Sequence, residues 1–141
     1  MHSHELMTGR TFGARFDPGE SFFPELEDFC RKEGIRHGYV PMFLAAFAEA
    51  DVVGSCDKLA DPEAPVWSNV HLTNAEAFGC GTIAYDEEAE RIVPHIHTTL
   101  GLKEHSATGY TSLLLLLLLL LLAAGVQFLV EMILVEVTAP S

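Results

Sequence analysis

The stretch "VPHIHTTLG" carries two histidines, His95 and His97, separated by one residue. The sequence around them alternates strongly and is rich in β-branched residues, so it reads as a strand. Side chains two apart on a strand leave the same face. Two imidazoles placed in this way have Cβ atoms roughly 6–7 Å apart, close enough to share one metal ion. Neutral imidazole suits Zn, Ni, Cu or Fe. Two ligands do not complete a site, because structural zinc takes four protein ligands and catalytic zinc three plus water. His71, at the start of a strand, and His105, in the loop "LKEHSATG", are the alternatives for a third ligand. Zn or another divalent transition metal held there would activate water near neutral pH, which is the enzyme reading. The other reading makes His95 and His97 half-buried strand residues, hydrogen-bonded within the protein or across a subunit contact. The acids Glu76, Asp86, Glu87 and Glu104 show no spacing that demands general-base chemistry, and no GxSxG element is present.

The elements that must position the pair follow from local pattern. "RTFGARFDPGE" alternates, with Phe12, Ala14 and Phe16 on one face, and ends at Asp17-Pro18-Gly19, a turn signal. "ESFFPELEDFCRKEG" changes to a helical period, with Phe22, Phe23, Leu26, Phe29 and Cys30 on one stripe. Ser21 is the expected N-cap and Gly34 the expected residue after the C-terminus. "IRHGYVPMFLAAFAEADVVG" reads as one long or two short buried strands, with a bulge or an edge at Pro41. "SCDKLADPEAPVWSN" reads as loop, and the chain from Asn69 to Leu102 as strand, strand, turn, strand, with "DEEAE" as the turn. "VQFLVEMILVEV" closes the chain as a last strand. One early helix followed by strands predicts an α+β domain with a mostly antiparallel sheet.

Size and charge narrow the function classes. A chain of 141 residues is one domain of common size. The expected division is a disordered segment 1–7, a single domain over 8–137 and a tail 138–141. The formal net charge is -12, with only 8 Lys and Arg residues. Nucleic-acid affinity comes mostly from cations neutralising phosphates, so the charge argues against duplex DNA as a partner of this chain alone. Cys30, Cys56 and Cys80 form no CxxC pair, and their odd number fits buried thiols in a reducing compartment. The polar start "MHSHELMTGR" holds no apolar signal core, so a cytoplasmic location is expected.

The order of the segments "DPGESFFPELEDFCRKEGIRHGYV", "AEADVVG", "EAFGCGTIA", "VPHIHTTLG" and "VEMILVEV" resembles the plant and prokaryote conserved (PPC) domain. The resemblance implies a PPC-domain-like fold, a homotrimer, and a stand-alone binding or assembly module of the prokaryotic type. It also implies a DNA-binding label, which in plants accompanies Arg-Gly-Arg-Pro arms; this sequence has no such element. The family pattern places a third histidine just after the "GYTS" stretch, where this chain has Leu113.

Leu113 opens a run of ten leucines ending at Leu122. The apolar stretch from Leu113 to Val130 just meets the length of a spanning helix, roughly 17–25 residues. Basic flanks are missing, and the tail matches a closing core strand, so no membrane segment is expected. A passage through the core would overpack it. A homopolymer in place of a patterned strand start is best read as an altered stretch of the natural sequence. Any small-molecule ligand is left open by the sequence.

Overall fold

The structure, a computed structural model, describes residues 1–54, 61, 63, 67–112 and 125–139. Among the described residues there is a single helix, α1, over Phe22–Glu33. Gly34 ends it in the left-handed region (φ 71°), a conformation that costs glycine nothing, and the Ile35 amide bonds back to the Cys30 carbonyl. Ser21 stands at the N-cap in an extended conformation, but its side chain makes no capping bond. Its carbonyl accepts the first helical bond from the Glu25 amide. Arg31 and Lys32 in the last turn both pair with Asp28, one turn back.

The apolar stripe of α1 lies on a six-stranded sheet. The strands are β1 (Met7–Phe16), β2 (Gly38–Gly54), β3 (Trp67–Asp86), β4 (Arg91–Gly101), β5 (Ser106–Ser112) and β6 (Gly125–Ala139). Their order is β1-β6-β2-β3-β4-β5, every pairing is antiparallel, and β2 also touches β5. Phe22 is the centre of the core: its ring lies 5.3 Å from Phe16, 5.5 Å from Phe43 and 5.8 Å from Phe47. Leu26, Cys30, Ile96, Leu100 and Leu134 fill the space around these rings.

One strand agrees with the sequence expectation and one differs. The expected bulge at Pro41 is present, as a register shift between Val40 and Phe43, and β2 continues through it as one strand. The segment expected as two strands is instead the 20-residue β3. Gly79 and Gly81 look like breaks in the sequence, yet they are places of close approach. A Cβ on either would overlap the carbonyl oxygen of His97 or His95 on the neighbouring strand. Farther along β3, Asn74 is left-handed (φ 52°). Near Phe47, where the register of β2 against β6 shifts, the buried residues of β2 change from Phe43 and Phe47 to Ala50 and Val52.

The expected loop "SCDKLADPEAPVWSN" lies mostly outside the described residues, as does the leucine run. Among the described residues no helix is long and apolar enough to cross a membrane.

Candidate functional site

The histidine pair is placed by the hairpin that joins β3 to β4. Asp86 organises the turn by accepting hydrogen bonds from the amides of Glu88 (2.9 Å) and Ala89 (3.0 Å) through one carboxylate oxygen. Glu90 completes it in the left-handed region. Arg91 then pairs with Glu27 of α1 at 3.5 Å, and Arg36 lies over the Tyr85 ring at 4.3 Å, so both arms of the hairpin are tied to the region of the helix.

From that turn the register is fixed, with Thr82 opposite His95 and Cys80 opposite His97. Along β4, Ile92, Pro94, Ile96, Thr98 and Leu100 are buried. The Thr98 hydroxyl donates to the Phe78 carbonyl at 3.2 Å, which satisfies the one polar side chain on that inner face. Alternation therefore turns His95 and His97 together onto one face, as the spacing predicts, and that face is the outer, exposed one rather than a half-buried setting.

The two rings meet. Nε2 of His95 and Nε2 of His97 are 2.9 Å apart, with ring centroids at 4.9 Å and planes inclined by 57°. A hydrogen bond between two ring nitrogens requires one to donate and the other to accept, so at least one ring is neutral. Partial burial, then repulsion from His95, holds the His97 pKa below its ordinary value, which favours its neutral form. Two nitrogens on one tetrahedral zinc stand about 3.3 Å apart, given bonds of about 2.0–2.1 Å. An opening of a few tenths of an ångström would convert the pair into a two-toothed clamp for such an ion.

The structure brings neither alternative ligand to this clamp. His71 lies nine residues before Cys80 on β3, roughly 30 Å along the strand. There its Nδ1 is 3.1 Å from both Asp51 carboxylate oxygens, and its Nε2 is 3.9 Å from Glu49. His105 sits in the turn after β4, where its carbonyl accepts the Leu102 amide at 2.8 Å. That turn is roughly 15 Å along β4 from His97. The position where the family pattern has its third histidine, Leu113, lies outside the described residues. Among the described residues, no three metal-binding side chains are grouped so as to hold an ion.

The sequence reading missed one neighbour. Cys30 is buried, as expected of these thiols, and its pKa is pushed up to about 12, chiefly by burial. Cys80 is exposed and directly opposite His97. Counting from the turn finds it: Cys80 is six residues before Asp86, and His97 six after Arg91.

The outer face beside the pair is apolar at its centre. Leu44 stands opposite Phe78, and Met42 opposite Ile133. Leu44 (46%), Phe78 (57%) and Ile133 (39%) are among the exposed large hydrophobic side chains of the molecule.

Comparison with known proteins places the fold. The fold matches a metal-containing protein from Archaeoglobus fulgidus at a TM-score of 0.75 and 19% identity, covering 99% of this chain and 87% of that one. It matches a plant- and prokaryote-conserved protein from Pyrococcus horikoshii at 0.75 and 20% identity, covering 100% and 87%. A candidate DNA-binding protein from Ralstonia eutropha matches at 0.67 and 20% identity, covering 94% and 82%. No curated protein matches the sequence. Residues 3–112 match the Plants and Prokaryotes Conserved (PCC) domain. With most of its length inside that match, and its helix and antiparallel sheet shared with these structures, the chain belongs to the PCC domain family.

Proposed function

We propose that this chain is a binding and assembly module, a homotrimer whose subunits meet through the outer sheet face. The exposed strip of Leu44, Phe78 and Ile133 carries this reading. A sheet with α1 on one side and exposed large side chains on the other gains by burying them, at roughly 25 cal/mol per Å² removed from water. Self-association is the occupant that the family resemblance favours. Light scattering tests it: a mass near three times 15.4 kDa is expected, falling towards one chain with Phe78→Asp. A monomeric mass for the unchanged protein overturns the reading.

A second reading is favoured by the 2.9 Å approach of the two Nε2 atoms. In it the His95/His97 clamp takes a divalent transition metal such as zinc, for a ligand-binding or catalytic role. The Archaeoglobus fulgidus relative is described as metal-containing. An ion there would supply a Lewis acid, while the chain's own residues hold the two imidazoles outward and parted by a short gap. The small-molecule ligand that such a site would take has no candidate among the observations. Elemental analysis of protein purified without metal-affinity resin tests the reading: substoichiometric metal, unchanged by His97→Ala, counts against it.

A further inference from the structure

We propose that the cleft beside the C-terminal end of α1, between the helix and the β3–β4 hairpin, binds a free α-amino acid with an apolar side chain. The cleft encloses about 270 Å³, at the small end of ligand sites, which run from roughly 300 to 1,000 Å³. Its apolar lining is buried: Cys30 comes from α1, Ile35 from the chain just after it, and Ile92 from β4. Such a surface takes up a hydrocarbon side chain. The Tyr85 ring, covered by the Arg36 guanidinium at 4.3 Å, adds a flat wall.

Two under-used charges of opposite sign line the same cleft, and they select the ligand. The Arg91 side chain is only 28% exposed, yet among the described residues its guanidinium meets only Glu27, at 3.5 Å, and makes no hydrogen bond. A guanidinium carries five donors in a fork that matches a carboxylate. Glu90, the residue before it, also lines the cleft, and among the described residues its carboxylate pairs with nothing. Arg31 lines the cleft as well but is taken by Asp28. A ligand carboxylate on Arg91 and a ligand ammonium beside Glu90 and Glu27 answer both charges. An α-amino acid carries those two groups on one carbon. The charge of the whole chain agrees: at -12 it repels a plain carboxylic acid at long range, and Glu27 and Glu90 repel it at short range. A zwitterion has no net charge and meets no such barrier.

The test titrates full-length protein with L-leucine and L-phenylalanine by calorimetry. Thermal unfolding runs in parallel, because a ligand of the folded state raises Tm. At least one of the two should bind, one molecule per chain, and raise Tm. Its amide, which lacks the carboxylate, and its deaminated acid, which lacks the ammonium, should each bind about tenfold more weakly or worse. Arg91→Gln and Glu90→Gln should each weaken binding by a similar factor. Glu90 is exposed, so its variant keeps the test decisive even if Arg91→Gln fails to fold. No binding of either amino acid at millimolar concentration overturns the proposal. So does an amide or deaminated acid that binds as tightly as its parent, or an affinity unchanged by Glu90→Gln.

Discussion

At the scale of single residues, the site depends on the charge state of two imidazoles. The lowered pKa of His97 comes first from its burial and second from His95, and both causes exist only in the folded chain. In the unfolded chain the ring titrates near its ordinary value of 6.5. Below that pH the unfolded state therefore binds more protons than the folded one, and stability falls as pH drops. Above it the group makes no pH-dependent difference. Denaturant unfolding of the metal-free protein from about pH 8 to about pH 5 should show this loss setting in as pH falls through 6.5. The same series in His97→Gln should lack that component. Identical pH profiles for the two proteins would contradict the argument. In the metal reading the same neutrality would be what an ion requires of the ring.

At the scale of elements, the spacing between β3 and β4 is a packing quantity set by two glycines. Replacing Gly81 by alanine would place a methyl group against the His95 carbonyl and the Ile96 side chain, 2.6 Å from its Cδ1. Backbone on the neighbouring strand cannot rotate out of the way. The substitution should cost about 1–3 kcal/mol in denaturant unfolding, the usual range for overpacking. It should also part the strands where His95 stands and weaken any metal held there. A Gly13→Ala control, where a Cβ meets nothing within 4 Å, should be far milder. This device explains what the sequence could and could not convey. The helix α1 and the alternation of β4 were legible because burial imprints its period directly on Phe22, Leu26 and Cys30, and on Ile92, Ile96 and Leu100. The unbroken β3 was not, because a glycine that ends a strand and one that lets a neighbour approach look alike. The outward pairing of His95 and His97 was legible from spacing alone. The neighbour Cys80 was not, because sequence spacing carries no cross-strand register. The same holds for His71 and His105, whose distance along the strands only the register shows.

At the scale of the whole molecule, the electrostatic field separates two kinds of partner. Two structures of similar fold, from Bacteroides thetaiotaomicron and Ralstonia eutropha, are described as candidate DNA-binding proteins. A chain with a net charge of -12 repels a polyanion at long range, and a trimer would triple that charge. Most of the cations among the described residues are already engaged. Arg10 is held by Glu33 and Glu136, Arg31 and Lys32 by Asp28, Arg36 by Glu87 and Arg91 by Glu27. Surface pairs of this kind are individually weak, and a phosphate backbone can compete for their arginines. It would, however, leave each carboxylate facing the DNA. Affinity for duplex DNA scales with the number of phosphates neutralised, each contributing a slope of about -0.9 in log K against log salt. Titration of the purified protein against duplex DNA across about 50–200 mM salt should therefore show weak binding and a shallow slope. A steep slope, equivalent to six or more phosphate contacts, would mean that cations converge on the duplex in a way this surface does not display. The field of this chain suits cations instead, which favours small positively charged partners over a polyanion.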